Sequence, residues 1–371
     1  MKITLKRTPE QIELVKAMAS RNRAVAYEAQ VALAEFIGPV LAEVINNAPT
    51  ISSLFSTLQF NADDNPSIPL DLYNDINDED YIKVYSQSHA GGLPTNQVLP
   101  TASELKIATY SLDTAVSFDR RYAAKSRMDV VSKTFTRVAQ EILAKQETTS
   151  ASLVMGALAD ASTNSSQHVR LSSTTGRRFL LDDINKMMTL SKRINGSFLG
   201  GTPAAGAARG ITDLIVSPEV VEELRAMAYN PINTVATAST GNDIAAPDEL
   251  RMSVYNSAGL PEFYGISIME ILELGVGKRF TNLFATAAGS TTYGGATFDT
   301  ANDDIVVGLD RSRESLIRAV AVDEENGGEF NLIADDQYSI RQNKIGYFGS
   351  IEEGRMILDD RALVGTFVNN A

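Results

Sequence analysis

The chain has 371 residues, 44% of them hydrophobic and 21% charged, enough for two or three domains or one large interrupted domain with an ordinary core. It contains no cysteine, which excludes disulfides, thiolate metal sites and cysteine catalysis. A net charge of −13 argues against general nucleic-acid binding, which needs clustered Lys and Arg, and no run approaches the ~20 apolar residues of a membrane helix.

The N-terminal stretch is basic (Lys2, Lys6, Arg7, Lys16, Arg21, Arg23). It lacks an apolar h-region, so it does not read as a secretory signal. Thr8-Pro9-Glu10 is a helix start, and apolar spacing predicts helix over residues 9–46, interrupted at Gly38-Pro39 and stopped by Asn46-Asn47-Ala48-Pro49. Residues 61–80 are acidic and turn-rich. Asp75, Asn77 and Glu79 alternate like calcium ligands, but Asp80 and Ser86 occupy the places that need Gly and Glu, so an exposed acidic connection is expected. Residues 81–117 read as a long hairpin, "YIKVYSQ" and "ELKIATYSLDTAVSF" flanking a Gly/Pro-rich tip. Such a ribbon is marginal by itself and must lie on something else.

A long helix is predicted over about residues 119–160. Val131, Phe135, Val138 and Ile142 step by four, three and four, and Thr148-Thr149-Ser150 is a candidate bend. Residues 162–180 read as a polar loop, 182–195 as helix, and "GSFLGGTPAAGAARGITD" as a flexible link. The stretch "DLIVSPEVVEELRAMAYNP", residues 213–231, is a strand running into a helix, with Ser217 as N-cap and Pro218 in the first turn. It has neither a phosphate-binding glycine nor a Gly-x-Ser-x-Gly elbow, and reads as a structural corner. Residues 232–258 read as irregular, "GLPEFYGISIMEIL" as a turn and strand, and 285–303 as a loop. "DIVVGLDRSRESLIRAVAV" and the tail from Asp336 read as strands.

Candidate chemistry is sparse. His89 and His168 have no helix-spaced ligand partner. Gly275–Phe280 brushes a phosphate-loop pattern but lacks its first glycine and has Arg279 where Ser or Thr is required. Asp335-Asp336 and Asp359-Asp360 are adjacent carboxylates, which on a strand point to opposite faces. No catalytic, cofactor-binding or metal-binding residue and no cofactor is predicted.

The order of the parts is more specific than any motif. An N-terminal helical arm, a long hairpin, a spine helix, an α/β segment and closing strands resemble the major capsid protein of tailed double-stranded DNA bacteriophages, the Hong Kong 97-type fold. "ELKIATYSLDTAVSFDRR" looks like the hairpin strand entering the spine helix, and "DLIVSPEVVEELRAMA" like the axial-domain strand and helix. "GLPEFYGISIME" looks like the family's turn and strand, and "DQYSIRQNKIGYFGSIEEGRMILDDRALVGTF" like its closing strands. The resemblance covers about residues 50–368.

It implies an α+β chain with an N-terminal arm (1–60), an extended loop (61–118), a peripheral domain with the spine helix (119–184), an axial domain (185–325) and closing strands of the peripheral domain (326–371). It implies self-assembly as hexamers and pentamers into an icosahedral shell around viral double-stranded DNA, without sequence-specific binding. Scaffolding, portal and cement proteins are the implied partners, with no membrane, and the implied location is the virion, assembled in the host bacterial cytoplasm. Some members form a Lys–Asn isopeptide bond. Here Lys83 has no matching partners, since the acceptor region reads Asp335-Asp336 and the Glu position Asn343, so no such bond is expected. A cellular nanocompartment shell of the same fold is the nearest alternative, and a two-domain α/β enzyme using the 213–231 turn a further one.

Overall fold

The computed structural model describes residues 8–61, 65–69, 104–165, 168–172, 178–194, 210–226, 262–263, 265–293, 296–322, 329–335 and 342–369. Helix α1 (Pro9–Ala17) starts where the sequence predicts, with the Thr8 hydroxyl accepting the Gln11 N–H at 3.4 Å. The expected single helix over 9–46 is instead two. α2 (Arg23–Asn46) restarts on Asn22, whose side chain accepts the Ala24 N–H at 3.2 Å. The expected interruption at Gly38-Pro39 does not occur, and α2 runs through Pro39. Proline removes one bond to the carbonyl four residues back. Pro39 and Glu35 both lie on the exposed side, so the freed carbonyl is on the solvent side of the helix. A short turn (Ile51–Leu54) leads to strand β1 (Ser56–Asn61).

The predicted hairpin lies largely outside the described residues, as do Lys83, His89 and the segment weighed as a calcium loop. At its base β2 (Ser67–Pro69) pairs antiparallel with β3 (Glu104–Lys106). The rest of its second strand is a correction to the sequence reading. β4 (Thr109–Asp119) is a sheet strand, paired antiparallel from Asp119↔Lys344 to Thr109↔Gly354 with a strand near the C-terminus. The predicted long helix also begins later. After α3 (Arg120–Ala124) the chain reverses at Ser126 (φ 52°) and α4 (Met128–Ser165) follows. α4 continues through Thr148, Thr149 and Ser150, whose hydroxyls bond the carbonyls of Ala144, Lys145 and Gln146 at 2.7, 3.1 and 2.7 Å.

Part of the predicted polar loop is strand β5 (Val169–Leu171), preceding α5 (Leu181–Ile194). The corner appears as expected, as β6 (Asp213–Val216) and α6 (Pro218–Ala226). Gly265 (φ 77°) turns β7 (Glu262–Phe263) into β8 (Ile266–Glu270). The region read as loop from residue 285 begins inside a helix, α7 (Arg279–Ala288). Its Phe280, Phe284 and Ala288, spaced by four, are buried. There follow β9 (Thr292–Tyr293), β10 (Ala296–Thr297), β11 (Asp303–Leu309), β12 (Leu316–Val322), β13 (Asn331–Asp335), β14 (Lys344–Ile357) and β15 (Leu363–Asn369).

These elements form an α+β fold of two compact units. The first takes described residues within 1–66, 107–150 and 317–356. Its sheet runs β1-β12-β14-β13, with β4 also paired to β14. The inward side packs on Leu33, Ile37 and Leu41 of α2 and on Val131, Phe135, Val138 and Ile142 of α4, the face its four-three-four spacing predicts. Tyr347 is wholly buried, with ring centroids 6.3 Å from Phe118 and 5.4 Å from Phe135, and burial drives its phenol pKa strongly upward.

The second unit takes described residues within 67–106, 151–316 and 357–371. Its main sheet runs β5-β15-β11-β6-β8-β7. β11 is buried at all seven positions, as befits a strand covered on both faces. α5 and α6 supply Ile184, Met187, Val220 and Leu224 to this core. β5 and β15 hydrogen-bond into the same sheet as β11, which draws residues 151–184 and 357–371 to the 185–316 segment.

Candidate functional site

The residues singled out for chemistry are occupied with structure. Ser217 is fully buried. Its Oγ accepts the Val220 N–H at 3.3 Å and donates to Asp304 Oδ2. A hydroxyl so enclosed caps α6. Glu223 of α6 is likewise engaged. It accepts the Phe179 N–H at 2.8 Å, and burial pushes its carboxyl pKa up. His168 is buried, with Nδ1 2.8 Å from the Leu363 carbonyl oxygen.

In the Gly275–Phe280 turn, Gly275 (φ 136°) and Gly277 (φ 68°) satisfy backbone geometry. The Glu219 carboxylate lies 3.1 Å from where a Gly275 Cβ would stand, an unwelcoming neighbour for a phosphate. Asp359 accepts the Arg361 backbone N–H at 3.0 Å and its Nε–H at 3.1 Å, and Asp335 pairs with Gly346 in the ladder, while Asp336 lies outside the described residues. Asn343 (φ 53°) forms the turn before β14. Among the described residues no group of three or more His, Asp or Glu is placed to hold a metal, and no helix is long and apolar enough to cross a membrane.

Two features escaped the sequence reading. The first is a buried ion cluster in the first unit. Glu353 is wholly buried and accepts from Tyr110 Oη, Gln146 Nε2 and Arg318 Nε, each at 2.9 Å, and from Arg355 Nε and Nη2 at 3.1 and 3.0 Å. Arg318 also reaches Asn46 Oδ1 at 3.0 Å, and Arg355 donates to Ser150 and lies over the Phe55 ring at 5.5 Å. Burial alone would raise the Glu353 pKa, but Arg355 and Arg318 outweigh it and hold the carboxyl below its usual range. Burial and the Glu353 charge push the Tyr110 phenol up to about 12. Nearby Glu147 accepts the Ile51 and Ser52 N–H groups at 3.1 and 3.3 Å, yet burial still leaves its pKa raised.

The second feature is exposed apolar surface on both sides of that unit. Helix α2 buries Leu33, Ile37, Leu41 and Ile45 on one side and exposes Val25, Ala32, Phe36, Pro39 and Val40 on the other. Phe36 is 53% exposed. On the outward sheet face Ile333 of β13 stands directly across from Phe348 of β14, which stands across from the exposed Ala115 of β4. Ile333 is 48% and Phe348 37% exposed.

The capsid protein of cyanophage P-SCSP1u is 11% identical, with a TM-score of 0.48 over 87% of this chain and 89% of that one. That of cyanophage Pam1 is 12% identical, with a TM-score of 0.48 over 87% and 90%. The holo-SrpI encapsulin of Synechococcus elongatus is 10% identical, with a TM-score of 0.44 over 86% of each chain. No protein-family model and no curated protein matches the sequence.

Proposed function

We propose that this chain is the building unit of an icosahedral capsid of the Hong Kong 97 type, assembling as hexamers and pentamers around viral double-stranded DNA. Its activity is assembly, not catalysis. The observation that carries the reading is α2. One side of α2 packs on the core, yet the other, with Phe36 and Val40 a turn apart, exposes large apolar side chains to water in the single chain. A contiguous exposed apolar stripe marks an interaction surface, and the outward Ile333–Phe348–Ala115 row supplies a second on the opposite face of the same unit. A unit with two separate sticky faces suits heterologous contacts that close by rotation.

Several further features support the reading. The element order agrees with the capsid resemblance, and β2 paired to β3 closes the base of an extended loop that ends before β4. On this proposal the first unit corresponds mainly to the arm and peripheral domain, and the second holds the axial domain. The net charge of −13 suits a wall that contains DNA without gripping phosphate. Scaffolding, portal and cement proteins would be its partners, and the virion its location, after assembly in the host cytoplasm. The test is negative-stain microscopy and sedimentation of the full chain. Polyhedral shells or capsomer rings are expected, and monomers only, at high concentration, would overturn the proposal. The encapsulin likeness favours one second reading, a nanocompartment shell, which shells holding protein cargo and no DNA would establish.

A further inference from the structure

The outward face of α2 is acidic as well as apolar. Glu28, Glu35 and Glu43 are exposed along it at seven- and eight-residue steps, beside Phe36 and Val40. No basic residue occurs between Arg23 and Lys83, so nothing on this helix beyond its first turn offsets those carboxylates. The same unit carries the opposite surface. Along α3 and α4, Lys125, Lys133, Arg137 and Lys145 are exposed and, among the described residues, meet no carboxylate within ion-pairing distance. Arg121 and Arg127 on that face are paired with Asp119 and Asp129, and Glu141 is its one further exposed acidic group. In a chain of net charge −13 a face with a basic excess is unusual. The exposed Tyr122 and Ala144 on the same side give it apolar footing.

We infer that the outward face of α2 in one copy docks on the outward α3–α4 face of a neighbouring copy. This rests on the shell-building proposal and names the surfaces by which it works. Glu35 and Glu43 are eight residues apart, as are Arg137 and Lys145. On helices rising ~1.5 Å per residue both pairs span about 12 Å, so two side-by-side helices bring both charge pairs into register. Phe36 and Val40 then lie between the pairs, against the Ala144 turn, and lose their water. Charge complementarity of this kind sets register and partner choice and speeds encounter. It also keeps two α2 faces apart, since like would meet like.

Three variants of the full chain test this, read by sedimentation and negative-stain microscopy. They are Glu28→Lys/Glu35→Lys/Glu43→Lys, Lys133→Glu/Arg137→Glu/Lys145→Glu, and the combination of all six. Each triple should lower the fraction of chain in particles at least about tenfold, because like charges then face each other. The six-fold variant should restore it. Wild-type assembly should weaken between about 0.05 and 0.5 M salt, as exposed pairs are screened.

Triples that assemble like wild type, or a folded six-fold variant that stays unassembled, overturn the inference. If a charge reversal prevents folding, the milder Glu28→Gln/Glu35→Gln/Glu43→Gln decides. It should flatten the salt dependence, and an unchanged dependence overturns the inference. The outcomes separate the two claims. Wild-type shells indifferent to all these changes leave the shell proposal standing and remove this interface. Wild-type chains that form only small oligomers, lost in each triple and regained in the six-fold variant, do the reverse. Wild-type monomers alone remove both.

Discussion

Replacing Glu353 by Gln keeps the side-chain shape and removes one charge from the centre of the buried cluster. In the native arrangement Oε1 accepts from Tyr110 and Arg355, and Oε2 from Gln146, Arg318 and Arg355. Whichever end of the new amide carries the NH2 group, it confronts at least two donors. Two guanidinium groups are left without their carboxylate, and the nearest other one, Glu329, stands 3.9 Å from Arg318. Removing one partner of a buried ion pair costs about 3–5 kcal/mol, a large part of the ~5–15 kcal/mol of a typical domain. Hydrogen exchange under mild urea should show β4 and β14 amides opening more easily by that amount, with β11 and β15 little changed. Burial raises the Glu353 pKa and the two arginines lower it further, so the folded value lies below the ordinary 4.5. Its stabilisation is therefore present above pH 4.5 and is lost as pH falls through the lowered value, and the variant should lack this acid loss. Converting the trio to Leu at 353 and Met at 318 and 355 should recover most of the stability, as apolar replacements of buried ion clusters do. A Glu353→Gln loss below about 1 kcal/mol, or one spread equally over both sheets, would refute the reasoning.

Glu147 should behave with the opposite sign. Its carboxyl is raised by burial, so its contribution is present at acid pH and fades as pH rises through the raised value, and Glu147→Gln should be better tolerated at pH 7 than at pH 4 in urea melts. Ser217→Ala removes a cap, about 1 kcal/mol, and also a donor to buried Asp304, about 1–3 kcal/mol, so thermal unfolding of the second unit should show more than the capping loss alone. Gly354→Ala should destabilise the first unit by about 1–3 kcal/mol, read as a lower melting temperature, because the new Cβ would stand 2.7 Å from the Ala108 carbonyl oxygen. Gly38→Ala should stabilise the same unit by up to about 1 kcal/mol, since its nearest neighbours would be 3.8 and 3.9 Å away within a helix.

What the sequence made legible was local. The Thr8 cap, the 213–218 corner and the buried face of α4 depend on residues within a turn or two of each other, and each appears as read. The errors arose where a distant element decides. Gly38-Pro39 reads as a break until one knows that Pro39 faces water. "ELKIATYSLDTAVSF" reads as half of a ribbon because its true partner, β14, lies more than two hundred residues away. α7 was hidden by the glycines before it and the Thr/Ala run inside it, although Phe280, Phe284 and Ala288 already carried the helical step. The ion cluster also left a trace. Ile345, Tyr347, Gly349, Ile351, Glu353 and Arg355 alternate along β14 and are all buried. Period two therefore put a glutamate and an arginine on the core side. Their partners could not be named, because Asn46, Tyr110, Gln146 and Arg318 come from four other segments.

That dispersal gives the cluster a role that stability does not explain. β4 and β14 pair over eleven residues, and their outward sides are short of features that would fix one register over another. A slip of one residue exchanges the faces of every side chain. It would bring Glu352 inward in place of Glu353 and turn Tyr347 out in place of Phe348. An apolar core tolerates rearrangement, whereas a carboxylate that must meet two guanidiniums, an amide and a phenol does not. The cluster thus holds β14 in the one register that places Phe348 beside Ile333 and Ala115 on the outward face. On the shell-building proposal, surfaces must repeat identically in every copy, and that fidelity matters more than additional stability. The apolar trio at 318, 353 and 355 should consequently melt near wild type yet assemble less uniformly, and uniform shells from it would show that register is fixed elsewhere.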